Sequence, residues 1–198
     1  MTLRGTVKSY AILVITIGSV IGATTTLAKP SAKHKMAKAQ STKSQPEIHH
    51  DANDLPIRVR EMRQWIIEAA RSGDIEELGP VLESNELPPL VSFDGTPEPI
   101  GYWKTKSRDG HGREILAIMI EIFEMGYVKL RDGTSEEIYV WPYLAEVPFG
   151  TLTSGQIVDL HRLVPADRVK DMLKAKRYQH YRAAISKDGT WQYFTVDD

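Results

Sequence analysis

Residues 112–143 read GREILAIMIEIFEMGYVKLRDGTSEEIYVWPY, and the change of period within them decides the fold class. Over 113–125, Ile115, Leu116, Met119, Ile120 and Phe123 recur at three- and four-residue spacing, with Ile118 and Ile122 beside that stripe. A helix apolar over so much of its girth belongs at the centre of a core. Gly126 stands where a left-handed cap is expected. Beyond it, Tyr127–Leu130 and residues 137–141 are short β-rich runs flanking Arg131-Asp132-Gly133-Thr134, a hairpin signal.

On the N-terminal side, Val59, Met62, Trp65, Ile66 and Ala69 repeat at helical spacing over Ile57–Arg71. Ser72-Gly73 stops that helix. Asp74 is placed to cap a second over 75–83, which Pro80 should kink or shorten. Residues 69–78 echo the inner turn of an ankyrin repeat, but a solenoid needs that unit again and again, and 100–116 does not repeat it. Pro88, Pro89, Pro97 and Pro99 predict extended chain at Leu87-Pro88-Pro89-Leu90. Ile100-Gly101-Tyr102-Trp103-Lys104 reads as a short strand or an aromatic plug.

On the C-terminal side, Thr153 is placed to cap a helix through Leu163, and Pro165-Ala166-Asp167 opens another toward Ala175. Residues 178–185 and 190–196 form a second hairpin about Lys187-Asp188-Gly189. The class expected is therefore α+β: an N-terminal helical hairpin and a central buried helix packed with antiparallel β-hairpins.

The first 28 residues have the three parts of a secretory leader. Arg4 and Lys8 supply the charge, residues 10–23 the apolar run, and Thr26 and Ala28 the small side chains before a cut at Lys29. The competing reading is an inner-membrane anchor made by the uncharged stretch 9–28; after cleavage no membrane span is expected. Residues 29–54 carry five lysines and only Met36 and Ile48 as large apolar side chains, so a flexible basic linker is expected there and a single domain over 55–198. Export places the protein in the periplasm. With no cysteine in the chain, disulfides, thiolate nucleophiles and Cys-ligated zinc are excluded.

Charge is unevenly distributed. Seven of the 25 basic residues precede Glu47, the first acid, so 47–198 carries 18 basic against 26 acidic residues, a net −8. That balance opposes nucleic acid as a partner, since its affinity rests on neutralising phosphates.

Chemistry-bearing residues are few. His34, His49 and His50 lie in the expected linker, where His49-His50-Asp51 could catch a stray cation. His161 falls beside a helical stripe, and His180 alternates with Tyr178 and Arg182 in the last hairpin. No metal-ligand spacing, nucleophile elbow or phosphate loop occurs, so neither a metal nor a cofactor is expected. Asp109-Gly110-His111-Gly112-Arg113 is the catalytic candidate: glycines admit a ligand to the backbone, and the helix start offers its positive end to an anion. There His111 would act as general base, Asp109 or Glu114 as the acid and Arg113 as the anion clamp. The binding candidate is aromatic. Tyr139, Trp141 and Tyr143 share one face of an extended chain, and Pro142 places that strand at an edge or at its own end. Trp141, Tyr143 and Trp103 would then form a platform for a sugar or an extended peptide.

Residues 69–78, 112–117, 139–143 and Asp188-Gly189-Thr190-Trp191 together resemble segments of a group of small exported Gram-negative proteins of unknown function. The resemblance implies secretion and a single domain; it implies no activity, ligand or catalytic residue. The function expected is a non-enzymatic periplasmic domain that binds an envelope glycan, peptide or protein. The alternative is a small envelope hydrolase built on His111. A structural or inhibitory partner of another envelope protein is a third reading.

Overall fold

The computed structural model describes residues 45–95 and 97–196. The leader expected over 1–28 and the linker up to residue 44 lie outside the described residues.

The fold is α+β. Five antiparallel strands form one sheet in the order β1-β2-β3-β4-β5: β1 Ile48–His49, β2 Tyr127–Leu130, β3 Ile138–Trp141, β4 Tyr181–Ser186 and β5 Trp191–Val196. Both expected hairpins are present, joined edge to edge through β3 and β4. Among the described residues six α-helices accompany them: α1 Ile57–Arg71, α2 Gly79–Glu83, α3 Pro99–Lys106, α4 Arg113–Glu124, α5 Ser154–Leu163 and α6 Ala166–Ala175.

Side chains alternate across the sheet, and both faces are covered. Tyr139, Trp141, Ile185, Trp191 and Phe194 face α1, α3 and α4, meeting Ile66, Trp103, Met119 and Phe123. Val128, Val140 and Ala184 face the other way, onto Leu160 of α5 and Val169 and Met172 of α6. Thr153 and Gln156 close a reciprocal capping box at the start of α5, as the Thr153 reading anticipates.

Three local expectations are corrected, and one is met. The chain joins the fold ahead of residue 55: Ile48 and His49 pair with Val128 and Tyr127, and His49 stacks on Tyr127 at 5.2 Å. Pairing with an existing strand orders a stretch too polar to bury much on its own. Residues 100–104 are helix, because Glu98 accepts from the backbone N–H of Ile100 and Gly101 and Pro99 stands in the first turn, where its missing N–H costs nothing. The expectation met is Pro80's: the helix read over 75–83 is shortened to α2, with Pro80 in its first turn, after a one-turn 3-10 segment Ile75–Leu78. Gly126 is not a left-handed cap, since Met125 ends α4 in an extended conformation. A side chain at Gly126 would lie 2.9 Å from the His49 carbonyl oxygen, so glycine there lets β1 approach.

Glu137 ties the two hairpin turns together and is 4% exposed. Its carboxylate accepts from the Tyr139 hydroxyl at 2.6 Å, the Gly133 amide at 2.9 Å and the Lys187 ammonium at 3.3 Å. Those donors, the Tyr139 hydroxyl first, pull its pKa down to about 2. His180 is moved by a different cause. It lies between the rings of Tyr178 and Tyr181, and burial, assisted by the Arg168 charge, lowers it to about 4.

Both shifts make the fold acid-sensitive. The unfolded chain protonates His180 near pH 6.5 while the folded chain does not, so stability is complete above that pH and falls as pH drops toward 4. The loss is at most about 3 kcal/mol. The Glu137 contribution is complete above pH ~4.5 and is lost toward pH 2. Urea unfolding of the full chain between pH 7.5 and 4 should show the decline, and His180→Gln should flatten it over that range. A parallel profile in the variant would remove His180 as the cause.

Candidate functional site: an acidic groove along α1

The structure does not assemble the aromatic platform expected from Trp141, Tyr143 and Trp103. Trp141 and Trp103 are 0% exposed and Tyr143 is 2% exposed. Trp103 stacks on Trp191 at 5.6 Å, and Trp141 lies against Phe123 at 5.5 Å and Tyr127 at 5.3 Å. The reason is the place of β3: it is the central strand of a sheet covered on both faces, and Pro142 follows its last residue. Tyr143 turns inward to donate to Asp159 at 2.6 Å; burial, then that bond, raises its pKa.

The Asp109–Arg113 loop is built as a helix start. Asp109 Oδ1 accepts from the Ser107 hydroxyl at 2.6 Å and from the backbone N–H of His111 and Gly112 at 3.0 Å each. The hydroxyl and then these amides hold its carboxyl below the usual range. Glu114 is gripped by the Arg108 guanidinium at 2.5 and 2.9 Å, which holds it low as well. Arg113 reaches the other Asp109 oxygen at 3.9 Å. His111 is exposed, and among the described residues its ring is joined by hydrogen bond to neither acid. Both carboxylates are thus held ionised for structural work, the opposite of what a general acid needs.

A concave surface lies elsewhere, starting on the outer face of α1 and continuing beyond it between residues 86–99 and the β4–β5 turn. Three hollows adjoin there. The first, 540 Å³, runs between Trp65 and Glu68 of α1, with Ser72 just after it, and Glu77, Pro80 and Val81 opposite. The second, 520 Å³, shares Trp65 and Ser84 with the first and continues past Ile57, Arg58 and Glu61 to Glu86 and Asp188. The third, 890 Å³, shares Glu86, Asp188 and Thr190 with the second and is walled by Leu87, Pro88, Pro89, Pro97 and Pro99. Among the described residues, three of the five large apolar side chains that stand exposed border this path: Ile57 at 62%, Trp65 at 47% and Leu87 at 72%.

The sheet edge beside the groove is closed. The Asn85 amide imitates a strand, donating to the Trp191 carbonyl at 3.0 Å and accepting from the Trp191 N–H at 3.1 Å. Leu90 adds two backbone bonds, to Gln192 and from Phe194. A ligand here therefore meets side chains and not an open ladder.

Several other donors bordering the groove are engaged as well, although Arg58 and the Trp65 indole also line it. Gln192 donates to the Ser186 hydroxyl, Ser84 to the Val81 carbonyl and Ser72 to the Ala69 carbonyl. The prolines have no N–H to offer. Acceptors are plentiful: among the described residues, no ion pair engages Glu61, Glu68, Glu77 or Glu86.

Set against family models, curated proteins and solved structures, the chain finds no match. Function therefore rests on the geometry. Among the described residues no group of three or more His, Asp or Glu could hold a metal ion, and no helix is long and apolar enough to cross a membrane.

Sequence reading missed Trp65, Ile57 and Leu87 as surface groups. Trp65 was counted in the apolar stripe of α1, yet it falls at that stripe's margin. It shares a helix face with Glu61 and Glu68, four residues before and three after it. An aromatic bracketed by charges at those spacings was the available signal. Leu87 carried none, because its exposure follows from the turn that sends 88–91 along β5.

Proposed function

We propose that this chain is a non-enzymatic binding module that holds an extended segment of a cell-envelope component in the groove along α1. The observation that supports this reading is the continuity of three hollows bordered by exposed Trp65, Ile57 and Leu87, on a fold whose other tryptophans are all buried. Half-exposed aromatic side chains in a groove give a ligand apolar area at little ordering cost. The leader-like residues 1–28 supply the envelope as the setting.

The test is a thermal-shift screen of the full chain against envelope oligosaccharides, muropeptides and short peptides, repeated with Trp65→Ala. A ligand near 100 times its Kd adds about 2.7 kcal/mol, which is roughly 5–10 °C for a chain of this size. The expected result is at least one hit that Trp65→Ala abolishes. Hits indifferent to Trp65→Ala and to Leu87→Ser would overturn the assignment of the groove.

A further inference from the structure

We infer that the occupant of this groove is a cationic peptide segment: an extended stretch carrying lysine or arginine interspersed with apolar side chains. The inference rests on the groove being the binding site and goes on to name the chemistry of its ligand.

Charge points first. Along its length the groove presents six carboxylates, Glu61, Glu68, Glu77, Glu86, Glu98 and Asp188, against one guanidinium, Arg58. Anionic envelope polymers and phosphorylated headgroups are repelled by such a surface.

Hydrogen-bond chemistry points the same way. The amides of Asn85 and Gln192 and the hydroxyls of Ser72 and Ser84 donate within the protein, and the proline wall has no N–H. Arg58 and the Trp65 indole N–H still offer donors in the groove, but they are set among six carboxylates, so a ligand that brings donors is the better match. Ammonium and guanidinium groups are donors only.

Trp65 completes the match. Glu61 and Glu68 share its helix face, one lining the hollow on each side. A cation over the indole gains the attraction of the ring and of both carboxylates. Ile57 and Leu87 take the intervening apolar side chains. Since Asn85 and Leu90 already occupy the β5 edge, recognition runs through side chains and not strand addition.

The experiment is fluorescence anisotropy with the full chain and a labelled peptide of alternating lysine and leucine, about eight residues long, beside its glutamate–leucine and serine–leucine counterparts. The lysine peptide should bind at least roughly tenfold tighter than either counterpart, and raising salt from about 50 to about 500 mM should weaken it. Glu61→Gln with Glu68→Gln should weaken it about tenfold, whereas Asp167→Asn with Asp171→Asn, on α6 beyond the sheet, should leave it unchanged. Equal loss from the α6 pair would reduce the effect to general charge and overturn the inference, as would equal binding of the serine peptide. Should an uncharged oligosaccharide or the serine peptide bind in a Trp65-dependent way, the groove stands and its cationic ligand falls. Should no probe depend on Trp65, both fall.

Discussion

Trp141→Ala should cost about 4 kcal/mol of stability, while Trp65→Ala should cost about 1 kcal/mol or less. Trp141 is fully buried on the central strand between Phe123 and Tyr127, so truncation removes a large apolar area and leaves a cavity that the sheet cannot close. Trp65 is 47% exposed on the outer face of α1. The two variants should therefore separate what aromatic residues do in this chain. Trp141→Ala lowers the urea midpoint and leaves groove affinity intact in the molecules that remain folded; Trp65→Ala does the reverse. Equal midpoints would mean that Trp141 is not a core residue.

Gly112→Ala should cost about 3 kcal/mol, lowering Tm by roughly 6–12 °C. Two effects combine. Gly112 has φ +85°, where a side chain is strained by about 1–2 kcal/mol. A Cβ there would also press on Ile75, coming within 3.0 Å of its Cβ, and Ile75 is 1% exposed in the core. Overpacking of that kind adds about 1–3 kcal/mol. Gly110→Ala is the control, because Gly110 has φ +66° and nothing within 4 Å of the added atom. It should show the strain alone. Equal costs for the two variants would mean that Ile75 yields without penalty.

The same glycine shows where sequence reading succeeds and stops. Its place before a helix was legible, and so was helix α4, because Ile115, Leu116, Met119 and Phe123 keep a period that only a helix satisfies. The hairpins were legible from Asp132-Gly133 and Asp188-Gly189. The strand at Ile48–His49 was not, since its pairing with β2 comes from a segment almost 80 residues away and leaves no local period. Residues 100–104 read equally as strand or plug because helix formation there depends on the Glu98 side chain capping two amides. The site was least legible. Alternation placed Tyr139 and Trp141 correctly on one face of β3, but alternation cannot say whether that face is covered. Here α1, α3 and α4 cover one face and α5 and α6 the other, and the aromatic run became core. Loop chemistry misled in the same way at His111: glycines that could admit a ligand serve Asp109 in starting α4.

The assignment of the groove is tested most directly by the indole N–H resonances of the full chain during titration with the lysine–leucine peptide. Four tryptophans give four signals, three from buried rings and one from Trp65. The Trp65 signal should move with ligand, accompanied by backbone amides near Glu86 and Gln192, while Trp103 and Trp141 stay fixed. A response centred on the His111 loop or on the buried indoles, with Trp65 unmoved, would contradict the account.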